Sequence, residues 1–386
     1  MNLQFTFATA GRIVFGDGSL ERMFPEIAGM GRRAFILTGR APGRAEPLVR
    51  FLRRQRVAVE TFPVHGEPTT DSVMEAAGAA RAMKADIVVS VGGGSVIDAG
   101  KAVAALAANP GPVTDYLEVI GEGKPLASPP APCIAVPTTA GTGSEVTKNA
   151  VVKSTRHGVK VSMRDVHMIP NIAIVDPLLT HTMPPEVTAS TGMDALTQLI
   201  EPFVSDRSNP LTDGLCREGI RRAARSFKAA FQDGTDGHAR ADMALASLFG
   251  GLALANAKLG AVHGIAGPMG GMIPAPHGVA CARLLAPVME ANVRALQDRD
   301  PKSPLLVRFH ETGRMLTGDP GAGAMDAVRW IRNLTGFLSL PRLSDFGLTR
   351  EMFPDLIAKS RRASSMKGNP VRLEEAELED VLLAAL

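Results

Sequence analysis

The sequence predicts an α/β domain built on a parallel sheet, followed by an all-helical domain. Short apolar, β-branched runs alternate with helical stretches in the first half of the chain, and this alternation is typical of a parallel sheet covered on both faces. After about residue 180 the β-branched clusters almost disappear and Ala/Leu/Met-rich helical segments follow. A chain of 386 residues also exceeds what one core usually organises. We therefore expect two domains, 1–179 and 180–386, with the boundary in "DPLLTHTMP".

The elements of the first domain are predicted from apolar runs and helical spacing. The predicted strands are "RRAFILTG" (32–39), "VAVETFP" (57–63), "DIVVSV" (86–91), "APCIAVPTT" (131–139) and "NIAIVDP" (171–177). Helical stretches are predicted between them: one between the first two strands, one at 70–85, where Thr70 and Asp71 are plausible capping residues, and one at 95–109. The predicted helices of the second domain span 186–204, 210–231, 238–260, 278–297, 323–336, 350–362 and 375–386.

Composition excludes several classes of protein. The net charge of +3 is small, the basic residues are scattered and aromatic residues make up only 4%, so nucleic-acid binding is not expected. No apolar run is long enough for a membrane span, and the N-terminus lacks the features of a signal peptide. Cys133, Cys216 and Cys281 are few and widely spaced, which favours buried thiols in a reducing compartment. A cytoplasmic protein is therefore expected.

A glycine-rich junction between a predicted strand and helix is the first candidate binding site. In "SVGGGSVIDAGKAVA", Gly92, Gly93 and Gly94 let the backbone approach a pyrophosphate, and the helix that follows offers free N–H groups. Ser95 and Asp98 lie in its first turns and are candidate cofactor-binding residues with the glycines. A tight strand-to-helix turn without a ligand is the alternative interpretation.

A second polar loop follows the next predicted strand, in "VPTTAGTGSEVTKNAVV". Thr138, Thr139, Thr142 and Ser144 supply hydroxyl groups suited to the polar edge of a nucleotide. Judged alone, this loop fits a capped turn about as well.

Four residues of the second half form a candidate metal site. In "TGMDALTQLIEP", Asp194 and Gln198 lie four residues apart, hence on one face of a helix. His263 and His277 occupy uncharged, Gly-rich surroundings in "VHGIAGPMGGMIPAPHG", separated by a predicted Gly/Pro loop. Two imidazoles and a carboxylate suit Fe²⁺ or Zn²⁺ and leave positions open for a substrate oxygen. The other histidines are interpreted as structural or surface residues: His65, His157, His167, His181, His238 and His310.

Taken together, "GGGSVIDAGKA", "PTTAGTGSEVT", "AIVDP", "GMDALTQLIE" and "VHGIAGPMGG…PHG" resemble the iron-containing (group III) alcohol dehydrogenase family in order and spacing, over essentially the whole chain. The resemblance implies a dehydroquinate synthase-like architecture, with an N-terminal dinucleotide-binding domain, a helical C-terminal domain and often a homodimer. It also implies an NAD(P) cofactor, an alcohol or aldehyde substrate, and a divalent metal held by Asp194, Gln198, His263 and His277. Asp194, His263 and His277 are then the expected catalytic residues.

The chain departs from the family pattern at three positions. Gln198 stands where the family has a histidine ligand, and Gly267 stands where many members have a histidine near the nicotinamide. Gly39 stands where NAD-using members often have an aspartate, and Arg40 and Arg44 follow it; this favours NADP, because a guanidinium can meet a 2′-phosphate.

Lys160 is a further expected cofactor-binding residue. Other functions stay open at this point: a maleylacetate-reductase-like enzyme acting on an oxo-acid, a lyase of the dehydroquinate synthase type, or a degenerate nucleotide-binding protein without turnover.

Overall fold

A computed structural model describes residues 4–386, and the chain folds into two compact units. The α/β unit comprises Ala8–Thr139 and Gly143–Thr182. The helical unit comprises Met183–Leu386, the short segment Ala140–Thr142 and the described residues before Ala8. The predicted fold class, a parallel α/β domain followed by a largely helical region, is confirmed.

The α/β unit is organised by a six-stranded sheet in the order β1-β8-β5-β4-β2-β3, in which every neighbouring pair is parallel. Its strands are β1 (Arg12–Phe15), β2 (Arg33–Thr38), β3 (Ala58–Pro63), β4 (Ile87–Gly92), β5 (Cys133–Pro137) and β8 (Ile172–Val175). All five predicted strands are present; four are shortened at one or both ends, and the strand predicted at 86–91 is shifted by one residue to Ile87–Gly92. The edge strand β1 was not predicted.

Both faces of this sheet are covered, which explains why its inner strands are apolar throughout. On β2, Ala34 and Ile36 belong to one buried cluster, whereas Phe35 and Leu37 belong to another. Because side chains alternate across a strand, the two clusters lie on opposite faces of the sheet. The helices of this unit are α1 (Ser19–Arg22), α2 (Phe24–Met30), α3 (Glu46–Arg54), α4 (Thr70–Ala82) and α5 (Gly94–Ala108).

A separate antiparallel hairpin joins β6 (Asn149–Ser154) to β7 (Val159–Arg164). This hairpin was not predicted from the sequence. Its residues alternate between buried and exposed along β6, as expected for a sheet with one face packed on a core.

The helical unit contains nine α-helices among the described residues. They are α6 (Pro185–Val204), α7 (Pro210–Gln232), α8 (Gly237–Asn256), α9 (Ala261–Met272), α10 (His277–Arg299), α11 (Pro304–Thr317), α12 (Ala324–Phe337), α13 (Phe353–Arg362) and α14 (Glu375–Ala385). The predicted helix 238–260 ends instead at Asn256, and α9 and α11 were not predicted. The stretch between His263 and His277, predicted to be a loop, is helical as far as Met272.

Within residues 4–386, no single helix is long and apolar enough to cross a membrane. Helices α8 and α9 reach the length and apolar composition of a membrane span only when they are taken together, and the chain bends by 95° between them.

Candidate metal centre

Helix α6 supplies three polar side chains from one buried face. Asp194, Gln198 and Glu201 follow one another at intervals of four and three residues, so they align along the helix. All three are nearly inaccessible to solvent, at 3%, 4% and 5% exposure. Polar side chains are rarely buried to this extent without partners, so this face of α6 is a candidate functional site.

Two imidazoles meet the carboxylate of Asp194. His263 lies in the first turn of α9, and His277 is the first residue of α10. The Nε2 atom of His263 lies 3.3 Å from Oδ1 of Asp194, and that of His277 lies 3.7 Å from the same oxygen. The sequence analysis predicted these three residues for one site, and the fold brings them together.

The start of α10 lies unusually close to α6. A Cβ atom on Gly278 would lie 2.0 Å from the carbonyl oxygen of Ser190, so only glycine fits there. Ser190 precedes Asp194 by one helical turn. The close approach therefore carries His277 to the carboxylate.

Glu201 fixes the orientation of His263. Its Oε2 lies 2.6 Å from Nδ1 of His263, and its Oε1 accepts a hydrogen bond from the backbone N–H of Val262 at 2.7 Å. A Cβ on Gly260 would lie 2.8 Å from that Oε1, so the glycine permits the approach. A carboxylate that accepts from Nδ1–H leaves the Nε2 lone pair free for a metal.

Cys281 completes the cluster, although the sequence analysis treated it only as a buried thiol. It follows His277 by one turn of α10, and its Sγ lies 3.7 Å from Nε2 of His277 and 3.9 Å from Nε2 of His263. One ligand atom from each of Asp194, His263, His277 and Cys281 lies within 4.8 Å of every other.

The charges of the cluster balance one another. Burial by itself would raise the pKa of Asp194, but a hydrogen bond from His263 and the charge of His277 bring that pKa below its ordinary value. Burial opposes protonation of His263, yet Cys281, Asp194 and Glu201 raise its pKa well above the ordinary value. The anionic groups of the site therefore favour positive charge among them, and a divalent cation would supply such charge.

Gln198 follows Asp194 by one turn of α6, and its side chain contains a buried oxygen. Within the described part of the chain, residues 4–386, its Oε1 is buried and has no hydrogen-bond partner. A Cβ on Gly250 of α8 would lie 3.6 Å from this oxygen, so the amide packs against that helix. A buried polar atom without a partner is costly, and an ion beside it would remove that cost. The donor set and this oxygen together fit a divalent metal.

The glycine-rich junction forms the turn between β4 and α5. Gly92 ends the strand, Gly93 precedes the first turn of the helix and Gly94 begins it. A Cβ on Gly92 would lie 2.4 Å from Val96, so no other residue fits. The first N–H groups of α5 lack partners within the helix, as an anion-binding helix start requires. Ser95 lies in the same turn.

The threonine loop that follows β5 is tied to this junction. The backbone N–H of Thr138 donates to the carbonyl of Gly92 at 2.9 Å. The Thr139 side chain lies within 3.3 Å of where a Gly93 Cβ would be. Thr142 belongs to the short segment that clusters with the helical unit.

Asp98 and Ser144 belong to one hydrogen-bond network between α5 and the loop. The hydroxyl of Ser144 and the backbone N–H of Val151 donate to the two oxygens of Asp98. The buried ammonium of Lys101 lies 3.2 Å from Asp98 and donates to the carbonyl of Ser144 at 2.9 Å. The loop is thereby held firmly against α5.

The basic residues predicted at the cofactor differ in their surroundings. Arg44 donates to the hydroxyls of Thr138 and Thr182, at 3.3 and 2.5 Å. Lys160 forms an ion pair with Glu67. Arg40 is exposed and makes no hydrogen bond or ion pair with any described residue of the chain.

Glu201 and Cys281 are the site residues that sequence reasoning missed. Helical spacing places Glu201 on the face of Asp194, seven residues later, and Cys281 on the face of His277, four residues later, but it does not identify their partners.

Known proteins resemble this chain over nearly its full length. The family described as "Iron-containing alcohol dehydrogenase" matches residues 10–177, and "Fe-containing alcohol dehydrogenase family, C-terminal" matches residues 188–386. A 1,3-propanediol dehydrogenase of Klebsiella pneumoniae is 34% identical over 355 residues, which cover 90% of each chain.

Two solved structures show the same fold. A 1,3-propanediol oxidoreductase superposes with a TM-score of 0.89 at 32% identity, covering 99% of this chain and 100% of that one. A sulfoacetaldehyde reductase from Bifidobacterium kashiwanohense, solved in complex with NAD⁺, superposes with a TM-score of 0.87 at 28% identity, covering 100% and 99%.

Proposed function

Because the chain belongs to the iron-containing alcohol dehydrogenase family, we propose that Asp194, His263 and His277 hold the divalent metal of an NAD(P)-dependent oxidoreductase. The enzyme uses NAD(P) and a metal, and it transfers hydride between the nicotinamide and the carbon of an alcohol or aldehyde. The comparisons do not favour reduction of an oxo-acid or loss of turnover.

One observation carries this proposal: a carboxylate and two imidazoles converge at 3.3 and 3.7 Å in a buried pocket of the helical unit. Gln198 is included as a neutral oxygen donor, because its buried Oε1 has no partner among residues 4–386. When bound, a divalent metal supplies Lewis-acid polarisation of the substrate oxygen. The His277 side chain is 41% exposed, and we propose that the substrate approaches from this side.

The protein's own side chains prepare the site for that chemistry. Glu201 accepts the Nδ1 proton of His263, so that Nε2, which faces Asp194, is the ring atom that would bind a metal. Gly267 is exposed and offers no group that could accept the alcohol proton. We therefore propose that the proton passes to water or to a ribose hydroxyl of the cofactor.

The proposed cofactor site lies in the glycine junction and the threonine loop. Gly92, Gly93, Gly94 and Ser95 present the start of α5 to the pyrophosphate. The remaining proposed cofactor residues are Gly39, Arg40, Asp98, Thr138, Thr139, Thr142, Ser144 and Lys160. Residues 1–179 form the proposed dinucleotide-binding domain, and 180–386 the metal and substrate domain.

NADP is the proposed preferred cofactor. Gly39 follows β2 with no carboxylate that would repel a 2′-phosphate, and a Cβ there would touch only Val96, at 3.4 Å. Arg44 is already engaged with two threonine hydroxyls, whereas the guanidinium of Arg40 is exposed. Arg40 is therefore the better candidate for a paired contact with the phosphate.

The proposed substrates are a primary alcohol and its aldehyde. The relatives' names specify 1,3-propanediol and sulfoacetaldehyde, which are a primary alcohol and an aldehyde. A homodimer is part of the proposal, and analytical ultracentrifugation of the full chain tests it.

A direct experiment tests the proposed function. Purified protein is stripped of metal with a chelator and assayed for NAD(P)H oxidation with a panel of small aldehydes, before and after Fe²⁺ or Zn²⁺ is restored. We expect turnover only in the reloaded protein. Binding of NAD(P)H without turnover under every loading condition would contradict the proposal.

A further inference from the structure

Cys281 contacts the candidate metal centre, but neither the family resemblance nor the sequence analysis gives it a role there. Its side chain is fully buried. The Sγ atom faces the Nε2 atoms of both His263 and His277, at 3.9 and 3.7 Å, and these are the atoms proposed to bind the metal.

We infer that Cys281, as a thiolate, is the fourth protein ligand of the metal, and that the centre is therefore suited to Zn²⁺ rather than Fe²⁺. This inference rests on the proposed function, because it takes Asp194, His263 and His277 as the other three ligands.

The distances between the donor atoms fit one tetrahedral ion. With metal–N and metal–O bonds of about 2.0 Å and a metal–S bond of about 2.3 Å, tetrahedral geometry places N and O about 3.3 Å apart, and N and S about 3.5 Å apart. The two N···O distances to Asp194 are 3.3 and 3.7 Å, and the two N···S distances to Cys281 are 3.7 and 3.9 Å. Small side-chain shifts would bring all four donors to bonding distance.

The Cys281 side chain needs only a small shift to reach a shared metal, because of its position on α10. His277 and Cys281 lie one turn apart on α10, so both point to the same neighbour. The close packing of Gly278 against Ser190 holds this first turn of α10 against α6, which carries Asp194.

Gln198 is the competing fourth ligand, and its chemistry is weaker. Its amide oxygen is neutral, whereas a Cys281 thiolate and the Asp194 carboxylate together balance the two charges of the ion in a buried site. The Oε1 atom of Gln198 has no hydrogen-bond partner among residues 4–386, so Gln198 is at most a weak additional donor beside the four proposed ligands. A thiolate ligand favours Zn²⁺ over Fe²⁺, because sulfur is a soft donor.

Cobalt substitution tests the inference without measuring activity. Full-length protein is stripped of metal and titrated with Co²⁺, and its absorption spectrum is recorded. We expect visible d–d bands together with a near-ultraviolet band from thiolate-to-cobalt charge transfer. Cys281→Ser should keep the d–d bands and lose the charge-transfer band. Two control variants should keep the d–d bands and the charge-transfer band. They are Gln198→Ala and Cys216→Ser, and the thiol of Cys216 is buried elsewhere in the helical unit.

The outcomes separate this inference from the proposed function. Stoichiometric Co²⁺ with d–d bands but no charge-transfer band in wild type would overturn the role of Cys281 alone. Failure of wild type to bind Co²⁺ would overturn the metal site itself. X-ray absorption of zinc-loaded wild type needs no variant: a sulfur neighbour at about 2.3 Å supports the inference, and a shell of only nitrogen and oxygen contradicts it.

Discussion

The imidazole of His263 is joined to Glu201 by a contact of 2.6 Å between Nδ1 and Oε2, and both side chains are buried. Glu201 cannot touch the substrate side of the ring, because it holds the opposite nitrogen. It is therefore a positioning residue that sets the tautomer of a proposed metal ligand.

Replacing Glu201 by Gln tests this role. The amide can still pair with Nδ1, but without the charge that strengthens the imidazole as a donor, so metal affinity should fall about 10- to 100-fold. Chelator competition measures the affinity, and NAD(P)H fluorescence should show an unchanged cofactor Kd. Wild-type metal affinity in Glu201→Gln would show that the contact only supports packing.

Cofactor choice is the second prediction. Gly39→Asp should reduce kcat/KM for NADPH specifically, because a carboxylate repels the 2′-phosphate and accepts hydrogen bonds from the ribose of NADH. Arg40→Ala should weaken NADPH use, whereas the matched Arg44→Ala should disturb the contacts to Thr138 and Thr182 and affect both cofactors.

Steady-state kinetics with both cofactors checks this pattern. A wild-type preference for NADH of tenfold or more, about 1.4 kcal/mol in the opposite direction, would show that this interpretation of Gly39 and Arg40 is wrong.

The buried carboxyl group of Glu145, in the α/β unit, leads to a prediction of how the free energy of unfolding depends on pH. Burial raises the pKa of Glu145 to about 7, although its own backbone N–H and the nearby Lys101 lower it in part. Because the folded-state pKa is raised, the stabilising contribution is complete below the unfolded pKa of about 4.5 and is lost as the pH rises through about 7. The loss amounts to about 3 kcal/mol at most.

Glu145→Gln removes this ionisation while keeping a similar shape. Urea unfolding at pH 5 and pH 8 should show a smaller loss of stability on going to pH 8 in the variant than in wild type. Equal losses in the two proteins would show that Glu145 does not ionise in this range.

The sequence was sufficient for the elements that have strong local patterns. The strands that became β2, β4 and β5 are buried on both faces, so their apolar runs were unambiguous. Asp194, His263 and His277 were grouped by their donor chemistry, and the family resemblance supported the grouping, because residues so far apart in the chain have no spacing that defines a site.

Local patterns failed where tertiary packing decides the structure. The stretch "GIAGPMGG" has poor helix propensity and contains Pro268, yet it forms α9, since its glycines permit close packing: a Cβ on Gly264 would lie 3.0 Å from Met366. The hairpin β6–β7 was missed although its alternation is visible in the sequence.

The roles of Cys281 and Glu201 were missed because the sequence does not show which groups surround them. A lone cysteine among apolar residues is usually an inert core residue, and only the fold shows which groups surround it. Glu201 lies in the apolar segment "LIEPF", and its partner His263 is 62 residues away in the chain. A buried carboxylate of this kind can be interpreted only when its partner is known.

The most direct test compares wild type with Asp194→Asn for metal content and turnover in the same preparations. Among residues 4–386, Asp194 is the one carboxylate with a contact to both imidazoles, so its replacement by an amide should lose the ion and the activity together. We predict stoichiometric metal and aldehyde-dependent NAD(P)H oxidation in reloaded wild type, and neither in Asp194→Asn, with an unchanged Kd for NAD(P)H. Full turnover by metal-free wild type, or retention of metal and activity by Asp194→Asn, would contradict a metal centre built on this residue.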